Sequence, residues 1–181
     1  MTISHHFQAR WLLIFLFVLT GFQGAWGYHH HPNTELGDRV QDEKIIETAK
    51  AELPHQGTVE QGPDGFVYLK VTDEYAYRLF PLLKEDRGFT VPSAIKRHSK
   101  PGAHISIFYA NEANSIGPIR DIGKEYSFEP KAIKRVRSGA KEYIILEVQA
   151  PELEKLRESY GFSPKLKNHE FHITLAEKRM H

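Results

Sequence analysis

Apolar residues fall at near-helical spacing in DRVQDEKIIETAKAEL, residues 38–53, where Val40, Ile45, Ala49 and Leu53 line one side and Asp38 stands at the start as a cap. That pattern predicts an amphipathic helix. A GPDG turn at 62–65 leads into FVYLKV, whose aromatic and β-branched residues favour a strand. DEYAYRLFPLLKED, opening at Asp73, predicts a second helix that bends at Pro81, because proline lacks the N–H the helix would need there. Residues 87–102 read as a loop. HISIF then predicts a strand, and NEANSIGP after it reads as turn-rich. YSFEPKAIKRVRSGAKEYIILEVQ predicts two strands joined at 138–140. PELEKLRESYG predicts a third helix, with Pro151 suited to its first turn and Gly161 to its stop. HITLAEK is the last strand. Neighbouring strands without intervening helices give an α+β chain rather than a βαβ wind.

One segment stands outside this pattern. WLLIFLFVLTGF, residues 11–22, is an unbroken apolar run behind a start whose only basic residue is Arg10, and AWG at 25–27 has the small-x-small form of a cleavage site. The run is short for a bilayer span, so residues 1–27 are expected to be a secretory signal, with the mature chain beginning at Tyr28 and its product periplasmic or secreted. Residues 28–37 are expected to form a flexible tail whose YHHHP stretch binds metal at most loosely. Residues 38–181 are expected to be a single domain.

Removing residues 1–27 takes one basic residue from the 24 Lys+Arg and none from the 23 Asp+Glu, so the mature chain is balanced in charge. No global field steers it to polyanions or to an anionic membrane, and affinity for phosphate must come from local geometry. The sequence has no cysteine, which excludes thiolate chemistry and disulfide stapling and leaves stability to core burial.

The chemistry lies in a pattern written twice: His104-Ile105-Ser106-Ile107 and His172-Ile173-Thr174-Leu175. In a strand, successive side chains point to opposite faces, so each copy offers an imidazole beside a hydroxyl on one face and two apolar residues on the other. With the apolar faces in the core, two imidazoles and two hydroxyls share a cleft. A neutral imidazole there takes a proton from an attacking oxygen, and an imidazolium gives one to the leaving oxygen. Histidine suits both tasks because its reference value of about 6.5 lets both forms coexist near neutrality. Chance offers such a tetrad after a given histidine roughly 1% of the time, so two among 11 histidines has a probability on the order of 0.5%. The plainer alternative is a pair of half-buried strands whose histidines only bond their neighbours.

Paired His-x-Ser/Thr-x tetrads, the second near the C-terminus, resemble the 2H phosphoesterase superfamily, which includes 2′,3′-cyclic phosphodiesterases and RNA-ligase-like proteins. The resemblance implies a bilobal α+β fold in which two similar lobes each present one tetrad strand to a central groove. It implies His104 and His172 as the catalytic pair, Ser106 and Thr174 as the phosphate-contacting hydroxyls, and no cofactor or metal. The expected substrate is a cyclic or linear phosphodiester of a ribonucleotide or short RNA, handled by a monomer without a protein partner or a membrane. A noncatalytic module binding a nucleotide or another phosphorylated ligand in the same groove is the alternative.

Smaller signals surround the tetrads. Phe108 shares the face of His104 and either stacks a base or enters the core. Lys96, Arg97 and Lys100 precede the first tetrad and offer phosphate contacts or an ordinary solvated loop. KAIKRVR at 131–137 reads as a charged outer face. His169, Glu170 and His172 are close in sequence, yet strand alternation turns His169 away from the other two, which argues against a ready three-ligand metal set.

Overall fold

The computed structural model describes residues 34–83 and 88–180, with side chains from position 42 onward. The expected signal, residues 1–27, and the tail as far as residue 33 lie outside the described residues. The first helix, α1, runs Thr34–Glu52, so the last residues expected in the tail are helical. Asp38, expected as the cap, therefore lies within the helix rather than at its start. Ile45, Ala49 and Leu53 from this segment are buried.

Among the described residues, seven strands follow, with four further helices among them. They are β1 (Gln56–Gln61), β2 (Val67–Lys70), β3 (His104–Phe108), β4 (Glu125–Ser127), β5 (Glu129–Ser138), β6 (Lys141–Gln149) and β7 (His172–Arg179). They form one antiparallel sheet in the order β4-β1-β2-β3-β7-β6-β5. The two tetrad strands are therefore central neighbours although far apart in sequence. Against the sheet lie α1, next to β5, and α2 (Glu74–Leu79), next to β7. As the sequence predicts, α2 cannot pass Pro81 as regular helix: it tightens into a 3-10 turn at Phe80–Leu82.

Three elements depart from the sequence reading. QGTVEQ forms β1, a strand whose polar composition hides the two inward positions, Gly57 and Val59. A single turn of helix, α3 (Ser93–Lys96), interrupts the expected 87–102 loop, its Ser93 N–H donating to Glu177 of β7 at 3.0 Å. The turn-rich NEANSIGP is mostly helix, α4 (Ala110–Ile116). Local Asn and Gly signals are outweighed there by a tertiary anchor.

That anchor is Arg157 on α5 (Pro151–Ser159), a guanidinium only 1% exposed. Its Nε donates to the Ser163 carbonyl at 2.8 Å and its Nη1 to the carbonyl of Ile107 in β3. Its Nη2 donates to Glu112 Oε1 of α4 at 3.0 Å. Its plane lies over the rings of Phe108 and Phe162, at 5.2 and 5.6 Å. Glu112 in turn accepts the N–H of Tyr109 at the start of α4. A buried charge survives only when its partners are complete, and this one draws α4, α5 and the end of β3 to one point.

Arg157→Leu is expected to cost about 3 kcal/mol or more, since it strands the Glu112 carboxylate and a buried carbonyl together. Adding Glu112→Leu should recover part of that loss. Urea unfolding of both variants measures it, and an unaltered midpoint for Arg157→Leu would contradict the anchoring role.

Candidate active site

Both tetrads lie on strands, and their burial follows the same course. His104, Ser106, His172 and Thr174 are half-buried, while Ile105, Ile107, Ile173 and Leu175 are in the core. The alternation breaks at the same place in each. Against β2, Val67 pairs with Phe108 and Tyr68 with Ser106, leaving Ile107 as an extra residue. Against β6, Ile144 pairs with Ala176 and Ile145 with Thr174, leaving Leu175 as an extra residue. Each tetrad therefore ends in a β-bulge at its fourth position, which turns the following residue inward and re-aims the chain. For this reason Phe108 does not share the face of His104. It is fully buried, which excludes it as a base-stacking side chain.

Between the tetrad strands, Ile105 pairs with Ile173. Continuing that antiparallel register sets His104 across from Thr174 and His172 across from Ser106. Each histidine is thus in register with the hydroxyl residue of the other copy. The orientation of the rings is duplicated as well: His104 Nδ1 lies 2.8 Å from the Gly102 carbonyl and His172 Nδ1 lies 3.0 Å from the Glu170 carbonyl, in each case two residues back. A carbonyl only accepts, so Nδ1 carries the proton in both neutral rings and Nε2 is left to exchange protons with a substrate.

The flanks of the two histidines differ. Lys70 of β2 is the cross-strand partner of His104. Its ammonium is held at 2.8 Å by Asp73, which also accepts the Ala103 N–H at 2.7 Å. Asp73 stands at the start of α2, as the sequence suggests, but its carboxylate makes no helix cap and braces the turn before His104 instead. Lys70 and Ala103 together hold that carboxylate below the ordinary range against the opposing effect of burial. Gly102 completes the turn at φ +66, where an added Cβ would come within 2.6 Å of Lys70 Nζ and Asp73 Oδ1. Phe66 and Tyr68 set their rings edge-on to His104, both at 5.6 Å. Burial depresses the titration of His104 below the usual histidine range; the Gly102 carbonyl opposes this, and Lys70 and His172 add to it.

Across the seam, the strand partner of His172 is Glu147 of β6, whose carboxylate lies 3.5 Å from Lys134. Glu170 is engaged by Lys165 at 2.6 Å, and His169 is exposed. The structure thus keeps His169 and His172 on different courses, with the intervening carboxylate occupied. Of the basic residues before the first tetrad, Lys100 pairs with Glu60 at 3.3 Å. In KAIKRVR, Lys131, Lys134, Arg135 and Arg137 are all exposed, and because Lys134 and Arg135 are neighbours they stand on both faces of the free end of β5 rather than on one outer face. A hollow where β4, β6 and α5 approach is lined by Ser127, Phe128, Glu129, Gln149, Pro151 and Glu152, and includes none of the tetrad residues.

Sequence reasoning missed Phe66, Tyr68, Lys70 and Asp73. The first three share a strand face by simple alternation, so a signal existed. What no local pattern states is that β2 is the strand that pairs with the first tetrad.

Residues 67–181 match a family model described as Swiss Army Knife, 2H phosphoesterase domain. No curated protein matches the chain, and neither does any solved structure.

Nitrogen-resolved NMR of the neutral imidazoles should find both His104 and His172 as the Nδ1–H tautomer, the less common form in free histidine side chains. A predominance of Nε2–H at either ring would remove the symmetric geometry described above.

Proposed function

Because the chain belongs to the 2H phosphoesterase superfamily, we propose that it is an exported, metal-independent phosphodiesterase acting on cyclic (2′,3′-type) or linear phosphodiesters of ribonucleotides or short RNA. The observation that carries this reading is the paired geometry: two imidazoles, each with Nδ1 fixed on a carbonyl, each in register with the other's hydroxyl residue. The halves of the sheet on either side of the β3–β7 seam are the two lobes, and the seam is the groove between them. Export follows from the apolar run and AWG of the sequence.

Roles divide according to the flanks. His104, kept neutral by burial and by Lys70, is the general base: its Nε2 removes a proton from water as the water oxygen attacks phosphorus. His172 is the general acid, giving its Nε2 proton to the ribose oxygen as the P–O bond breaks. Ser106 and Thr174 donate to the nonbridging oxygens. The products are a phosphomonoester and a free hydroxyl, and proton exchange with solvent resets the pair. Each step uses only these side chains and water, so chelation leaves turnover intact.

His104→Ala and His172→Ala are each expected to lose ~100-fold or more in turnover of a 2′,3′-cyclic nucleotide, while staying folded. Ser106→Ala and Thr174→Ala are expected to lose ~10-fold, the worth of one hydrogen bond. Affinity without product would mark the chain as a binding module, and near-normal rates in either histidine variant would overturn the two-imidazole mechanism.

The pH profile carries its own sign. A base with a depressed titration is protonated only at low pH, so the acidic limb of kcat/KM should fall below the ordinary histidine range, and deprotonation of the acid sets the alkaline limb. Lys70→Gln removes a cation that lowers His104, so it should move the acidic limb to higher pH. A profile that stays in place, or moves down, would contradict the assignment of His104 as base.

A further inference from the structure

The peptide between Gly102 and Ala103 serves two partners at once. Its carbonyl accepts from His104 Nδ1 at 2.8 Å, and its N–H donates to Asp73 Oδ1 at 2.7 Å. A peptide unit is planar and trans, so its N–H and C=O point in opposite directions and turn as one body. Whatever fixes the N–H therefore aims the carbonyl. The sheet ladder does not reach this peptide: it ends at the Ala103 carbonyl of the next one, which accepts the Val71 N–H at 3.2 Å. Ala103 is buried, and a buried N–H needs an acceptor. Asp73 supplies it.

The carboxylate is itself fixed from two directions. The Asp73 carbonyl accepts the N–H groups of Ala76 and Tyr77 at 3.0 and 3.2 Å, which ties its backbone to the start of α2. Lys70 Nζ, 2.8 Å from the same Oδ1, ties the side chain to β2. The close fit needs Gly102, whose missing Cβ leaves room for both groups. The second tetrad shares only part of this arrangement. Phe171, the residue before His172, gives its carbonyl to the Val148 N–H at 2.8 Å, as Ala103 does to Val71. Among the described residues, however, no carboxylate accepts the Phe171 N–H.

We propose that Asp73 is a positioning residue for His104: by holding the Ala103 N–H it aims the Gly102 carbonyl at Nδ1, and so keeps Nε2 the unprotonated nitrogen of the neutral ring. Which nitrogen of an imidazole carries the proton is set by the hydrogen bond the other makes. With the carbonyl free to turn, the ring returns to the Nε2–H form that free histidine side chains favour, and that form has no lone pair at Nε2 with which to take a proton. A carboxylate that only stabilised the turn would act on the fold and leave the tautomer alone. This inference rests on the phosphodiesterase reading for its turnover arm alone.

Nitrogen-resolved NMR tests this, with His172 as the control ring in the same molecule. Asp73→Ala should convert His104 from a single Nδ1–H form to a mixture with prominent Nε2–H, while His172 stays Nδ1–H. Asp73→Asn, whose amide oxygen still accepts the Ala103 N–H, should keep His104 as in the wild type. Lys70→Gln, which leaves the Ala103 contact in place, should keep it too. In turnover of a 2′,3′-cyclic nucleotide, Asp73→Ala should lose about tenfold in kcat with little change in KM, the worth of one hydrogen bond, and Asp73→Asn should recover most of it. An unmoved His104 tautomer in Asp73→Ala, an equal change at both rings, or an Asn variant as impaired as the Ala one would overturn the proposal. If Asp73→Ala does not fold, Gly102→Ala decides, because its Cβ would come within 2.6 Å of Asp73 Oδ1: it should shift the His104 tautomer in the same way, and retained Nδ1–H there would overturn the proposal. If the wild type turns nothing over yet the tautomers behave as stated, the positioning role stands and the enzymatic reading falls.

Discussion

The buried guanidinium of Arg157 is the constraint from which the local architecture around the first tetrad follows. It reaches the carbonyl of Ile107, the extra residue of a bulge, and through Glu112 the start of α4. An unpaired charge in that position would be costly, so the bulge, the helix start and α5 are tied to one another through it. Because the bulge inverts the alternation, Phe108 closes over the guanidinium while Tyr109 faces outward. A charge buried for packing thereby fixes how the end of a functional strand presents its side chains.

The two tetrads are alike in what they do to themselves and unlike in what surrounds them. Each fixes Nδ1 on the carbonyl two residues back and ends in a bulge at its fourth residue. Beyond that, His104 has Lys70 across the ladder and two rings against it, and His172 has Glu147. The same local geometry leaves Nε2 of both rings clear of the backbone carbonyl that holds Nδ1, and the proposed division into base and acid rests on the different flanks. A base and an acid need that difference.

Much of this was legible in the sequence, and the boundary of legibility has a physical cause. The tetrad alternation, the last helix between Pro151 and Gly161, and the hairpin around residues 138–140 are encoded within a few neighbouring residues, and the structure has them. QGTVEQ was lost because only Gly57 and Val59 turn inward, too few apolar side chains to register as a period. NEANSIGP was misread because its helix depends on an arginine far along the chain. Lys70 and Asp73 escaped notice because their part is set by strand order, and cross-strand neighbours are not written in any one strand. Phe108 was placed on the wrong face because alternation holds only until a bulge resets it.

The pairing of Ile105 with Ile173 has an implication for how preparations of this protein behave. A slip of β7 by a single residue would carry His172 and Thr174 to the packed face and bring Ile173 and Leu175 out into water. The error would expose two large aliphatic side chains and dismantle the groove in the same event. A misregistered molecule would therefore lose the paired tetrad face and gain exposed aliphatic surface together, a combination that favours aggregation.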